Sequence, residues 1–444
     1  MSVNTTETLV RPDSEPASRP VTDSLSRVRQ RNRRLGVVLL AVANPFLALL
    51  LALKYPREVL AKNLVWVFIV FYGTVFYVAA GFGLDGESYA NQLRIMHETD
   101  FSLPDLASSF FAHRGAYQDF YQPIVTFLVS RFSGETWLLF GTFGIFFGYV
   151  YSRNVWFLVD RLPRRSGVVV WLLILAFAFV VGIGEGLNGV RMWTALHVFV
   201  FGVLHYADRQ EPKFLLVSFL SPLIHFSFLI PSALLLAFLL LKRFGAAIYV
   251  FFVASFFIAA LDVALIRQAL EYLPLTMGER AISGYVDRAE MMYGASEVRR
   301  ERVWFLTLNH TLVSAFIFLG ATWLFLRKAH QRVDVIRFVF LFGMLVYGGV
   351  NLVDHVPSAG RFSSIGEMLI LAAFIMFLSD RVRAKKLDFQ VAAMLLPLLA
   401  IHFALGFREL LYFSSIWLVA GNFFVAPFVD PQVSLFDMVR RVAF

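Results

Sequence analysis

Arg191 stands in an apolar stretch, GIGEGLNGVRMWTALH over residues 182–197. An arginine at the centre of a membrane span costs about 2.5–3.5 kcal/mol on insertion scales, so it normally faces a cavity, an anion or a partner. Four glycines (Gly182, Gly184, Gly186, Gly189) precede it and allow irregular backbone and close approach of a ligand. A helix starting near Leu187 points its first amides at the same place, a favourable setting for phosphate. It also puts Asn188 and Arg191 on one face, three residues apart. The chemistry this suits is anion binding, with Glu185 and Asn188 as neighbours. A purely structural account has Arg191 snorkel or pair with Glu185.

Other polar groups lie in or beside apolar segments. Asp85, Glu87, Tyr89 and Arg94 follow an early span, where carboxylates serve acid–base work or simply cap a solvated helix. Arg114, Tyr121 and Gln122, with Tyr117, Gln118 and Pro123, precede a short apolar helix. Aromatic rings with polar handles suit sugar faces there, and equally a membrane interface. His225 and Ser227 lie in SPLIHFSF just after Pro222, where a broken helix shifts a lone histidine from bundle contact toward function. Asp354, His355 and Arg361 lie in NLVDHVPSAGRFSS between two spans. A second arginine at a span's outer end completes a two-point clamp for a diphosphate. His197, His310 and His402 read as structural. The motifs GxxxxGK[ST], GxGxxG after a strand, HExxH and GxSxG are absent, and the nine histidines lack metal-ligand spacing, so neither a metal nor a cofactor is expected.

These residues need a membrane scaffold to hold them. Of 444 residues 58% are hydrophobic and 16% charged, with a mean hydropathy of +0.68, which describes a polytopic helical membrane protein rather than a soluble domain. The 49 phenylalanines suit lipid-facing and interfacial surfaces. The chain has no cysteine, which excludes disulfides, thiol catalysis and thiolate metal sites. The net charge of +9 reads as topology rather than nucleic-acid binding, because basic residues sit in short turns beside spans.

The expected architecture is all-α, with about 11–13 transmembrane helices and two long polar external segments. Residues 1–35 form a disordered tail ending in five arginines between Arg27 and Arg34, a signal anchor rather than a cleaved signal peptide. Residues 36–430 form a single helical domain, and 431–444 a cytoplasmic C-terminal tail. Eleven spans read at 36–54, 64–82, 135–152, 167–184, 187–206, 245–265, 303–326, 335–353, 361–379, 390–406 and 409–428. Two doubtful ones are the short segment 119–133 and the proline-broken segment 213–241. The polar segments are 83–119, with six acidic residues, and 266–302, with six acidic and six basic. A conflict remains: a cytoplasmic basic tail followed by two spans returns 83–119 to the cytoplasm, whereas its acidic character argues for the outside.

In this order the pieces resemble the EpsG-type (Wzy-like) polysaccharide polymerases of bacterial envelopes, over roughly residues 60–380. The resemblance rests on the acidic-plus-tyrosine segment Asp85–Tyr89 and on Arg191 opening a helix with small residues up to Ala195. It rests also on His225-Phe226-Ser227 after a break and on the late Arg361 before a span. The chain departs from the family in Met192, where glutamine is frequent, and in Ile365, where tyrosine is frequent. The resemblance implies transfer of a growing chain from undecaprenyl diphosphate to the next lipid-linked oligosaccharide repeat unit, at the periplasmic face of the inner membrane. It implies the lipid bilayer as setting, with a chain-length regulator and export proteins as partners. Leaving-group charge then falls to Arg191 and Arg361, with Arg114 in support. Activation of the acceptor hydroxyl falls to His225, or second to Asp85 or Glu87. Rival readings are a flippase or exporter for the same glycan, and a ligase or polyprenyl-phosphate-sugar-dependent glycosyltransferase.

Overall fold

The first predicted span is not one. Asn44 is followed by Pro45, whose ring disfavours helical backbone at the residue before it. Asn44 is extended and its side chain caps the next helix through Leu47 N, 2.9 Å away. Two short helices result, α1 (Arg34–Ala43) and α2 (Pro45–Lys54). Each is about 15 Å long, half of the ~30 Å hydrocarbon core. Arg34 and Val37 share a small cavity with Leu51, Ala52 and Tyr55, so the pair folds back on itself as a hairpin. Arg34 and the start of α3 (Ala61–Thr74) therefore lie at the same end of the bundle.

The computed structural model describes residues 34–58, 60–78, 84–111, 117, 119–258, 304–331, 334–353, 359–380, 382, 384–429 and 433–443. Among them there is no β-strand, only an isolated bridge between Phe76 and Ser414. Five helices are long and apolar enough to cross a membrane: Val168–Asn188, Trp304–Leu326, Val335–Leu352, Ala359–Ser379 and Lys386–Tyr412. This is an all-α membrane protein. The predicted polar segment 266–302 lies outside the described residues.

After α3 the chain stays at one end through α4 (Asp85–Glu98), α5 (Leu103–Phe111) and the ten-residue α6 (Tyr121–Ser130), which is too short to cross. It returns along α7 (Thr136–Val159). The α3 and α7 backbones touch: a Cβ on Gly73 would lie 2.2 Å from Phe140 O, and one on Gly144 2.8 Å from Ile69 O. Such close approach replaces the hydrophobic drive that two helices in lipid lack. The chain then rises through α8 (Val168–Phe179) and α9 (Ile183–Asn188), and descends through α10 (Val190–Arg209). The proline-broken segment becomes α11 (Pro212–Phe219), α12 (Ser221–Ile224), a 3-10 turn Phe226–Phe228 and α13 (Leu229–Leu241).

Basic side chains lock one end of the bundle. Arg57 bonds the carbonyls of Leu162 and Pro163, Arg161 pairs with Asp208 at 2.6 Å, and Arg327 pairs with the buried Asp388 at 2.8 Å. The positive-inside rule leads one to expect such an end on the cytoplasmic side. The last predicted span, 409–428, is also absent. Beyond Tyr412 the chain forms only short turns, and Leu435 N bonds Ser414 O, so the terminal helix Leu435–Ala443 packs beside the end opposite the basic turns. With 409–428 irregular, the terminal helix stays at the same end of the bundle as Tyr412.

Candidate functional site

At the non-basic end the elements converge on a carboxylate that the sequence reading passed over, Asp119. It is 2% exposed and accepts three hydrogen bonds: from His225 Nδ1 at 2.8 Å, Phe226 N at 2.8 Å and Arg191 Nη1 at 3.2 Å. Local backbone explains the geometry. α12 ends at His225, whose extended backbone frees the Phe226 amide. Asp119 takes that amide and caps the following turn from a distant part of the chain. A main-chain bond from Phe120 N to Leu223 O holds the two strands of the site together.

The carboxylate accepts only, so the His225 Nδ1 is the proton-bearing nitrogen and Nε2 of the neutral ring is an acceptor. Arg191 balances the Asp119 charge. Its side chain remains 35% exposed, with Nε donating to Tyr89 OH at 3.1 Å. Asp85 stands within electrostatic reach of both Tyr89 and Arg191. Gly86 N donates to Asn188 Oδ1 at 3.1 Å, tying the start of α4 to the end of α9. A Cβ on Gly86 would lie 2.9 Å from that oxygen, so a larger residue would push the Asn188 amide aside.

Arg191, His225, Tyr89, Asn188 and Asp85 are therefore gathered around one point. Arg191 pairs with Asp119 rather than Glu185, and a break at Gly189 separates Asn188 from Arg191, so the two do not share a face of one helix. Tyr121 adjoins through Phe143, whose ring lies 6.0 Å from those of both Tyr89 and Tyr121. Gln122 is buried and donates to Gln92 Oε1 (2.7 Å) and Thr126 Oγ1 (2.8 Å). Ser227 is buried beside His225, its hydroxyl without a partner. Glu87 is on another face of α4, in an open cleft of about 540 Å³ shared with Ser88, Asn91, Gln92, Phe101 and Tyr117. Arg94 is exposed and away from the Asp119 cluster.

Glu185 and Arg361 belong to a second polar group. Glu185 feels the charges of Glu409 and Arg361, and Arg361 stands exposed on the turn Ala359–Phe362. The two groups adjoin through Phe228 and Phe362, whose rings are 5.5 Å apart. Arg114 and His355 lie outside the described residues. Among those described, no three metal-ligating side chains come together.

The fold and these contacts define a helical membrane protein with a buried, charge-paired Asp–His–Arg cluster at one end of its bundle. The chain matches no family model, no curated protein and no solved structure.

Proposed function

We propose that the chain is a glycosyltransferase of the bacterial inner membrane, polymerising undecaprenyl-diphosphate-linked repeat units into exopolysaccharide, capsule or O-antigen at the periplasmic face. The observation that supports this most is Asp119 holding Arg191 and His225 at once. Asp119 orients the imidazole so that Nε2 takes the proton from an acceptor hydroxyl as that oxygen attacks the anomeric carbon. The carbon–oxygen bond to the diphosphate breaks, and Arg191 stabilises the charge on the leaving phosphate. The base contributes about 10²–10⁴-fold by general catalysis. The neighbouring cleft on α4, with amide, carboxylate and aromatic groups, suits the glycan.

A second reading, a flippase for the same lipid-linked glycan, draws on the Glu185–Glu409–Arg361 group, because ionisable residues at depth also mark transport pathways. Complementation of a gene deletion separates the two. With Arg191→Ala or Asp119→Asn at normal membrane levels, a polymerase leaves single repeat units on the outer face and no long polymer. A flippase strands them on the cytoplasmic face. Normal polymer from both variants overturns the catalytic assignment.

A further inference from the structure

Glu367 belongs to neither polar group described above. It lies in the span Ala359–Ser379, which is buried at every residue from Ser363 to Leu378. Glu367 itself is 9% exposed, and it accepts a hydrogen bond from Ser363 Oγ, one turn earlier, at 2.9 Å. A carboxylate at such depth is stable only when it is paired, well hydrogen-bonded or neutralised by a proton. Two histidines stand within its electrostatic reach, His402 from the span Lys386–Tyr412 and His310 from Trp304–Leu326. His402 is 8% exposed and donates from Nε2 to Ala176 O at 3.1 Å, so its ring is fixed. His310 is exposed, less than two turns from the start of its helix at Trp304.

A fourth group completes the layer. Phe316 packs on Phe374 with ring centroids 6.3 Å apart, and a Cβ on Gly320 would lie 3.6 Å from the same ring. Both helices run inward from the site-bearing end, one finishing beside Arg327 and Asp388, the other starting beside Phe228. Seven residues back along each, two turns from that contact, stand Asn309 and Glu367. Asn309 continues the buried stripe of Val313, Phe316 and Gly320, and its Oδ1 is buried without a hydrogen-bond partner. Such an oxygen calls for a donor, which a carboxylate is not and a carboxylic acid is. The other titratable groups in this half of the packed helices are engaged elsewhere or exposed. Tyr347 shares a hydrogen bond with Ser314, Arg191 pairs with Asp119, and His197 accepts from Asn154. Arg361 and Arg408 are exposed, and Glu409 belongs to the Glu185 group, while α8 carries no titratable residue.

We propose that Glu367, Asn309, His310 and His402 form a proton-binding site inside the bundle, apart from the Asp119 cluster, that exchanges with the site-bearing face through His310. The neutral Glu367 acid donates to Asn309 Oδ1 while accepting from Ser363. On release its proton passes to a nitrogen of neutral His310, leaving carboxylate and imidazolium, and His310 hands it to water. Uptake reverses the two steps, and His402 closes the inner end. Carboxylates and histidines buried in spans are the elements from which proton relays are built.

Infrared difference spectroscopy of the full-length protein in phosphatidylcholine nanodiscs reads this site without any glycan. At neutral pH a protonated-carboxyl stretch should be present in wild type and lost in Glu367→Gln, which keeps the volume and the Ser363 bond. Asn309→Leu removes the acceptor and should shift the same band to higher frequency, an assignment that holds even if Glu367→Gln does not fold. In His310→Gln the band should persist while its exchange with deuterium slows. A band unchanged in both Glu367→Gln and Asn309→Leu overturns the proposal, as does its absence from wild type, the sign of an ionised Glu367 against a charged His402. Loss of the band when sodium replaces choline at fixed pH also overturns it, making the site one for a metal cation. Exchange as fast in His310→Gln as in wild type removes the route through His310. Because no turnover is measured, none of these results depends on the polymerase reading.

Discussion

Asp119 carries most at the scale of single residues, and its position shows why sequence alone hid it. It is one of six acidic residues in a polar segment, and the aromatic and amide residues around it read as a sugar or interface surface rather than as the setting of a paired carboxylate. Its partners are far along the chain at Arg191, His225 and Phe226, brought together only by helix packing. Arg191 and His225 were legible because an arginine at membrane depth and a histidine at a helix break are locally anomalous. Asp119→Asn keeps the volume but offers an amide that presents the wrong group to Nδ1. Polymer formation should fall by about 10²–10⁴-fold, read from lipid-linked oligosaccharide turnover in membranes. Arg191→Lys keeps a charge but loses the fork that spans Asp119, Tyr89 and an anion. It should behave close to Arg191→Ala, and activity near wild type in the lysine variant would show that charge alone suffices.

Helices are legible in the apolar runs, and so is the break after Pro222, whereas the breaks at Asn44 and beyond Tyr412 are not. The Asn44-Pro45 pair was a stop signal inside an apolar run, and hydropathy averaging concealed it. The segment 409–428 is apolar enough to span, yet beyond Tyr412 it is broken into turns as far as the Pro427 region. The glycine seam of α3 and α7 makes a strong prediction, since no side-chain motion relieves a clash with main chain. Gly73→Val or Gly144→Leu should abolish the folded protein, seen as loss of a monodisperse peak in detergent. Gly36, with open space around it, should tolerate alanine. A gentler test concerns α5, where Ser102 and Asp105 cap each other: the Asp105 amide donates to Ser102 Oγ, and its carboxylate accepts from Ser102 Oγ at 2.5 Å and from Ser102 N at 2.8 Å. The Ser102 hydroxyl, and after it the Ser102 amide, hold the Asp105 carboxyl below the usual aspartate range. A depressed carboxylate stabilises above its unfolded value, about 3.9, and that contribution is lost as pH falls through the folded value. Amide protection of α5 should therefore decline only below about pH 4, and Ser102→Ala should weaken it at neutral pH.

For the whole molecule, the bundle has a basic end and a site-bearing end, and the chain's lack of cysteine makes that polarity directly measurable. Single cysteines at Glu98 and Val439 should react with a membrane-impermeant maleimide from outside, while those at Arg164 and Lys242 should react only after lysis. Labelling of Val439 from inside alone would restore the cytoplasmic tail that the sequence suggests. The seam between α3 and α7 has one more consequence, for biosynthesis. A ribosome delivers α3 first, and α7 only after the whole segment 84–135 has been made. Until then the glycine face of α3 meets only lipid, and Asp119 emerges before Arg191 and His225 exist to neutralise and orient it. The site is thus a late product of synthesis. Nascent chains stalled short of Phe226 lack partners that the Asp119 carboxylate has in the finished protein.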